Sequence, residues 1–81
     1  MDVELEACKA GGWKARFDAD RFDEFADRIR ENVDVDADTE HMLVFHVDGV
    51  KCSFVRSSGV MIVREEEREQ ARAIIEDVLE G

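Results

Sequence analysis

The sequence predicts an α+β fold: an antiparallel sheet of about five strands with two helices on one face, in the order ββαβββα. Three observations carry that reading. Apolar and polar residues alternate with a period of two in several short stretches, and an Asp-Gly pair separates two of these. Two longer stretches repeat their apolar residues at helical spacing.

The alternation begins at once. Val3, Leu5 and Ala7 alternate with Glu4, Glu6 and Cys8, and Trp13, Ala15 and Phe17 alternate with Lys14 and Arg16, with Gly11-Gly12 between them. Paired residues share a face, so the parity of the loop sets the register. A two-residue turn at Gly11-Gly12 would pair Ala10 with Trp13 and set Glu6 opposite Phe17, placing acids on the core face. A three-residue loop, Ala10-Gly11-Gly12 with Gly12 left-handed, pairs Ala7 with Ala15 and Leu5 with Phe17. It keeps Glu6 beside Arg16 on the wet face and is preferred.

A helix follows. Phe22, Phe25, Ala26, Ile29 and Val33 form one narrow apolar stripe. Asp18 or Asp20 can cap its start, Asp23 and Glu24 suit the positive end of the helix dipole, and Asn32 can stop it. The polar stretch Asp34–Glu40 then leads to the clearest hairpin, residues 41–47 and 50–56 around Asp48-Gly49, a type I′ turn signal. Pairing Val47 with Val50 gathers Leu43, Phe45, Val47, Val50, Cys52 and Phe54 on one face, the core. A further strand, Val60–Arg64, follows Ser57-Ser58-Gly59. An even-length loop sets Met61 and Val63 with Phe54; an odd one would set Val60 and Ile62 there and turn Arg64 inward. The even loop is preferred, because an inward Arg is costly without a partner. The chain closes with a helix whose first turn holds Glu65, Glu66 and Glu67 and whose stripe is Ala71, Ile74, Ile75, Val78 and Leu79, with Gly81 just past its end.

Residues 1–81 read as a single small domain. With 44% apolar residues the chain is no disordered segment, although 40% of it is charged. It has no Pro, no Ser/Gly-rich linker and no internal repeat that would mark a boundary. No apolar run approaches the ~20 residues that span a bilayer. The start MDVELEA lacks the basic and apolar regions of a signal peptide, so a cytoplasmic protein is expected. The formal net charge is −10, with 21 acidic residues against 11 basic ones, and Lys9, Lys14 and Lys51 are its lysines. A dense acidic surface with few lysines suits a cytoplasm at molar salt, where the Debye length falls to about 3 Å. In this the chain resembles small acidic proteins of haloarchaeal type. The same charge argues against nucleic acid as a partner, since phosphate binding needs clustered Lys and Arg.

Motifs for chemistry are thin. Asp34, Asp36, Asp38 and Glu40 resemble the opening of a calcium loop, but Thr39 stands where that loop needs Gly and Phe45 where it needs a bidentate Glu. A solvated acidic loop is expected, and no metal or cofactor. Cys8, Cys52, His41 and His46 show no Cys-x-x-Cys or His-x-x-x-His spacing. The hairpin register puts His46 and Cys52 on opposite faces. Cys52 reads as a small core residue, whereas Cys8 lies on the wet face of an edge region and could react. Arg56-Ser57-Ser58-Gly59 opens no helix and lacks a phosphate-loop framework, so it reads as a plain turn. Trp13 reads as a lid over the end of the core, or else as a partner anchor. Because no acid–base pair or nucleophile stands out, an enzyme ranks last among the functional readings.

One feature points to function. Met42, Val44, Val55 and Ile62 fall on the sheet face opposite the core, and helices on one side would leave them uncovered. Such a patch on a highly charged protein marks a subunit or partner interface, unless an edge loop or the Lys51 stem covers it. These four are the candidate partner-binding residues, for a protein partner or a homodimer. The alternative is a small-ligand-binding regulatory domain using the edge between the first helix and the sheet.

The run from Met42 to Gly81 carries Leu43-Val44-Phe45, the Gly49 turn, Phe54 on a strand, Gly59 leading another strand, and a helix with Ala71-Arg72 ending at Leu79-Glu80-Gly81. It resembles a short ββα tail that follows the catalytic domain in some ThiF/MoeB/HesA-type adenylyltransferases. The resemblance covers about half the chain. Those enzymes' Gly-rich nucleotide loop and paired Cys-x-x-Cys zinc ligands have no counterpart here, so no catalytic role carries over. What the resemblance implies is a stand-alone accessory or ubiquitin-like-pathway binding module, although the Gly-Gly tail of a modifier is missing.

Overall fold

A computed structural model describes residues 3–80; the expected position of Gly81 lies outside them. Six strands, β1 (Leu5–Ala7), β2 (Trp13–Arg16), β3 (Val35–Asp38), β4 (Met42–Val47), β5 (Val50–Val55) and β6 (Val60–Val63), form one antiparallel sheet in the order β1-β2-β6-β5-β4-β3. Helix α1 (Phe22–Asn32) lies between β2 and β3 in sequence, and α2 (Arg68–Glu80) follows β6. The fold is the α+β class read from the sequence, with one strand more.

That extra strand is β3. Asp34–Glu40, expected as a solvated loop, includes an edge strand whose Val35 pairs with Phe45 and whose Asp38 pairs with Leu43, with a register shift between Val35 and Ala37. Its carboxylates find cations. Arg30 of α1 holds Asp38 with two hydrogen bonds, from Nε at 2.8 Å and Nη2 at 3.0 Å, and reaches Asp27 at 2.8 Å. On the other face Asp36 takes the ring of His46. A short, bulged, acidic edge of this kind resists pairing with foreign strands.

The central hairpin is as expected. Asp48 and Gly49 have φ of 51° and 82°, the left-handed pair a type I′ turn requires, and Phe45 pairs with Cys52 and Leu43 with Phe54. The loop to β6 is even, so Phe54 pairs with Met61 and Cys52 with Val63. Arg64 therefore turns outward, its Nη1 donating to the carbonyls of Ala10 and Gly11. Gly59 ends that loop at φ 68°, where a Cβ would lie 2.2 Å from the Phe17 carbonyl oxygen, and its own carbonyl accepts from Phe17 N. No other residue fits that crossing.

The first hairpin departs from the expected register by two residues. Leu5 pairs with Ala15 and Ala7 with Trp13, because the connection is the five-residue loop Cys8–Gly12, closed by hydrogen bonds between Cys8 and both Gly11 and Gly12. A two-residue shift preserves parity, so the face assignment survives. Glu6 sits opposite Lys14 and still reaches Arg16.

Asp18 caps a 3₁₀ turn, Ala19–Arg21, by accepting from Asp20 N, and α1 starts immediately after it. The stripe Phe22, Phe25, Ala26 and Ile29 is buried, and Asn32 ends the helix by donating to the Val78 carbonyl of α2. Glu65–Glu67 precede α2 instead of forming its first turn; the Glu67 carbonyl accepts from Ala71 N. Both helices bury their stripes against Ala15, Leu43, Phe45, Cys52, Phe54, Met61 and Val63, one continuous core on one face of the sheet. Phe22 lies over Phe54 at 4.5 Å between ring centroids. Trp13 closes the β2 end as a lid, donating from Nε1 to the Glu66 carbonyl at 2.8 Å.

Candidate functional site

The pleat that buries one face defines the other. Met42, Val55, Val60 and Arg16 pair in turn across β4, β5, β6 and β2, forming one row. The next row runs through Ala37, Val44, Ser53, Ile62, Lys14 and Glu6, and a third pairs His46 with Lys51. Both helices pack on the far side. Met42, Val44, Val55 and Ile62 are half-buried and lie outside the core cluster and outside the apolar residues packed against it. Val60, in the same row, is 9% exposed. The four residues singled out from the sequence thus share the face away from the helices, partly exposed around a buried Val60. Lys51, opposite His46, is exposed.

Charge frames this patch. Lys14 and Arg16 border it along β2, and Lys51 and His46 stand at its hairpin end. Among the described residues, the carboxylates on this face of the strands are Glu6 and Asp36, and both are engaged: Glu6 by Lys14 and Arg16, Asp36 by His46. Sequence reading missed this framing. The signal was present in the alternation of Lys14, Arg16 and Lys51 with core residues, but the order of the strands across the sheet was needed to see them surround one strip.

The opposite side of the molecule holds cross-links of another kind. Arg56 donates from Nη2 to Asp23 at 2.7 Å and from Nε to the Glu40 carbonyl, and its guanidinium lies 4.5 Å from the centre of the Phe22 ring. It ties the β5–β6 turn to α1 and to the β3–β4 connection. The hydrogen bond from Arg56 holds the Asp23 carboxyl below its ordinary value, and that from Arg30 does the same for Asp38.

Cys52 is fully buried, and burial pushes its thiol up to about 12, the opposite of what a nucleophile or metal ligand requires. His46 stands on the other face of the sheet. Cys8 is partly exposed in the β1–β2 loop. A cleft of about 450 Å³ opens between the β1 edge and the start of α1, lined by Val3, Phe17 and Phe25 together with Glu4, Asp18 and Arg21, and it shares Glu6 and Arg16 with the border of the sheet patch. Arg21 stacks on Phe25 at 4.7 Å and pairs with Glu24. Among the described residues no helix is long and apolar enough to cross a membrane.

No protein-family model, curated protein or solved structure matches the chain. What its surfaces do is therefore read from their own geometry.

Proposed function

We propose that this protein is a non-enzymatic interaction or accessory module of a salt-adapted cytoplasm, docking a protein through the open face of its sheet. One observation carries the reading: Met42, Val44, Val55 and Ile62 form a contiguous aliphatic strip that neither helix covers, on a chain whose net charge is −10. The resemblance of residues 42–81 to an appended tail points the same way, to an accessory role.

The experiment is a pull-down at molar KCl with the wild-type chain and Val44→Asp as baits. The wild type should retain a defined protein that Val44→Asp loses while remaining folded; equal retention by both baits defeats the reading. Adaptation to salt is tested separately. Screening of the 21 carboxylates should raise the melting temperature between 0.1 and 2 M KCl, and a flat or falling profile counts against it.

The cleft beside β1 supports a second reading, a small-ligand regulatory site at the edge between α1 and the sheet. Its volume lies within the range of ligand pockets, roughly 300–1,000 Å³. A ligand-dependent rise in melting temperature across a metabolite panel, lost in Phe17→Ala, would favour it over the sheet face.

A further inference from the structure

The β1 edge of the sheet is a second surface, independent of the sheet face. We infer that it takes up an extended peptide of a partner protein as a further strand, with an apolar side chain in the cleft beside that edge and basic residues flanking it. Hydrogen bonds fix which backbone groups of β1 are free. Phe17 N–H donates to Gly59 on the β6 side, and Cys8 N–H to Gly12 on the β2 side. Direction alternates along an antiparallel ladder, so Glu6 bonds to β2 while Leu5 and Ala7 turn their N–H and C=O groups outward. Two donors and two acceptors therefore stand in line with no partner among the described residues.

The cleft lies where an added strand needs it. Val3, Leu5 and Phe17 sit on the helix side of the sheet, and Phe17 meets Phe25 of α1 at 5.1 Å between ring centroids. Val3, Phe17 and Phe25 line the cleft of about 450 Å³. A strand beside β1 turns its alternate side chains to that same side, next to Leu5, so one large apolar residue enters the cleft. Main-chain bonds then supply affinity and the cleft supplies selection. A metabolite could fill the cleft but would leave the row of backbone groups unused. The peptide's flanking residues fall on the other face, beside Glu4 and Glu6. Lys14 and Arg16 hold Glu6, whereas Glu4, at the mouth of the cleft, has no ion pair among the described residues, so Lys or Arg suits the place beside it. The opposite edge is closed to such a strand, since β3 is bulged and its Asp36 and Asp38 are tied to His46 and Arg30. A second copy of this chain fits poorly, because antiparallel pairing centred on Leu5 sets each Glu4 opposite a Glu6.

The test uses the full chain at 0.15 M KCl, with binding followed by amide NMR and hydrogen exchange. The probe is a capped heptapeptide in which Val, Phe and Val alternate with Lys. Its counterparts carry Glu for each Lys, or N-methyl groups on the apolar residues, or N-methyl groups on the lysines. The parent peptide should slow exchange at the Leu5 and Ala7 amides and shift Phe17 and Phe25, and the Glu peptide should bind more weakly. One of the two methylated peptides, according to the direction of the added strand, should lose roughly tenfold or more in affinity. Ala7→Pro deletes an outward N–H that an edge strand can spare, so it should weaken binding at an unchanged melting temperature. If that variant unfolds, the methylated peptides carry the test alone. Unchanged exchange at Leu5 and Ala7, full affinity in both methylated peptides, or a dimer in sedimentation that protects those amides overturns the inference. Equal binding of the Glu peptide overturns the basic character assigned to the partner. Shifts confined to Met42, Val44, Val55 and Ile62 overturn the edge site and leave the sheet-face reading standing.

Discussion

On β4, Leu43 and Phe45 lie beneath two helices and are fully buried, whereas Met42 and Val44, one residue away on the same strand, face the other way and stay half-buried. The same contrast repeats on β5, where Cys52 and Phe54 are buried and Lys51, Ser53 and Val55 are not. Period-two geometry forces this division, but it does not dictate that both faces be apolar in the middle. A sheet covered on one side and meant for water on the other would place polar residues at Val44, Val55 and Ile62. Their aliphatic character on an otherwise charged protein is the difference on which the proposed docking rests.

The sharpest way to break that comparison is to truncate each face and compare the losses. Phe54→Ala removes a ring that packs against Phe22 at 4.5 Å and Phe17 at 5.9 Å, and it should cost about 3–5 kcal/mol in urea unfolding. A domain of this size has about that much stability in total, so the variant should be largely unfolded at 25 °C. Val44→Asp on the open face should cost less than about 1 kcal/mol while abolishing docking. Comparable losses from the two would show that the open strip serves the fold instead of a partner.

Much of this division could be read in the sequence, and the misses have physical causes. The central hairpin was legible because Asp48-Gly49 fixes both turn type and register, and Leu43, Phe45, Cys52 and Phe54 follow from it. The β6 register was legible because one alternative buried Arg64. The first hairpin was not, since Gly11-Gly12 permits several loop lengths and the five-residue loop differs from a three-residue one without changing which side chains face the core. Strand β3 was invisible for a different reason. Val35-Asp36-Ala37-Asp38 has low strand propensity, and what holds it is tertiary, namely the ladder to β4 and the Asp38–Arg30 pair. Of the candidate site, the four aliphatic residues were legible from pleat parity, but their cationic border was not, because Lys14 and Lys51 come together only once β6 is placed between β2 and β5.

The two cysteines sharpen the comparison at smaller scale. At pH 8 the buried Cys52, its thiol pushed up to about 12, should resist a thiol reagent, while Cys8 in the β1–β2 loop reacts. A titration with a chromogenic disulfide should give one fast thiol per chain, the second appearing only as the protein unfolds. Two fast thiols would mean that the covered face opens readily and that the contrast between the faces is weaker than the packing implies.

The smallest effect is electrostatic and belongs to the helical side. Asp23 and Asp38 are held below the ordinary carboxylate value of 3.8 by hydrogen bonds from Arg56 and Arg30. A carboxyl depressed in the folded state binds a proton more readily in the unfolded one, so its contribution is present above pH 4 and lost as the pH falls through 3.8 and then through the folded value. The overall charge acts in the opposite direction over part of this range. Acidification towards the isoelectric point near 4.5 relieves repulsion among the remaining acids and stabilises the fold. The two effects separate in a difference measurement. The melting-temperature gap between wild type and D23N/D38N should be constant from pH 7 to about 5, shrink below pH 4 and shrink further in molar salt, because both carboxylates are exposed and screened. A gap that widened with acid would show that these pairs oppose folding, and that the acidic side is held together by the buried stripes of α1 and α2 alone.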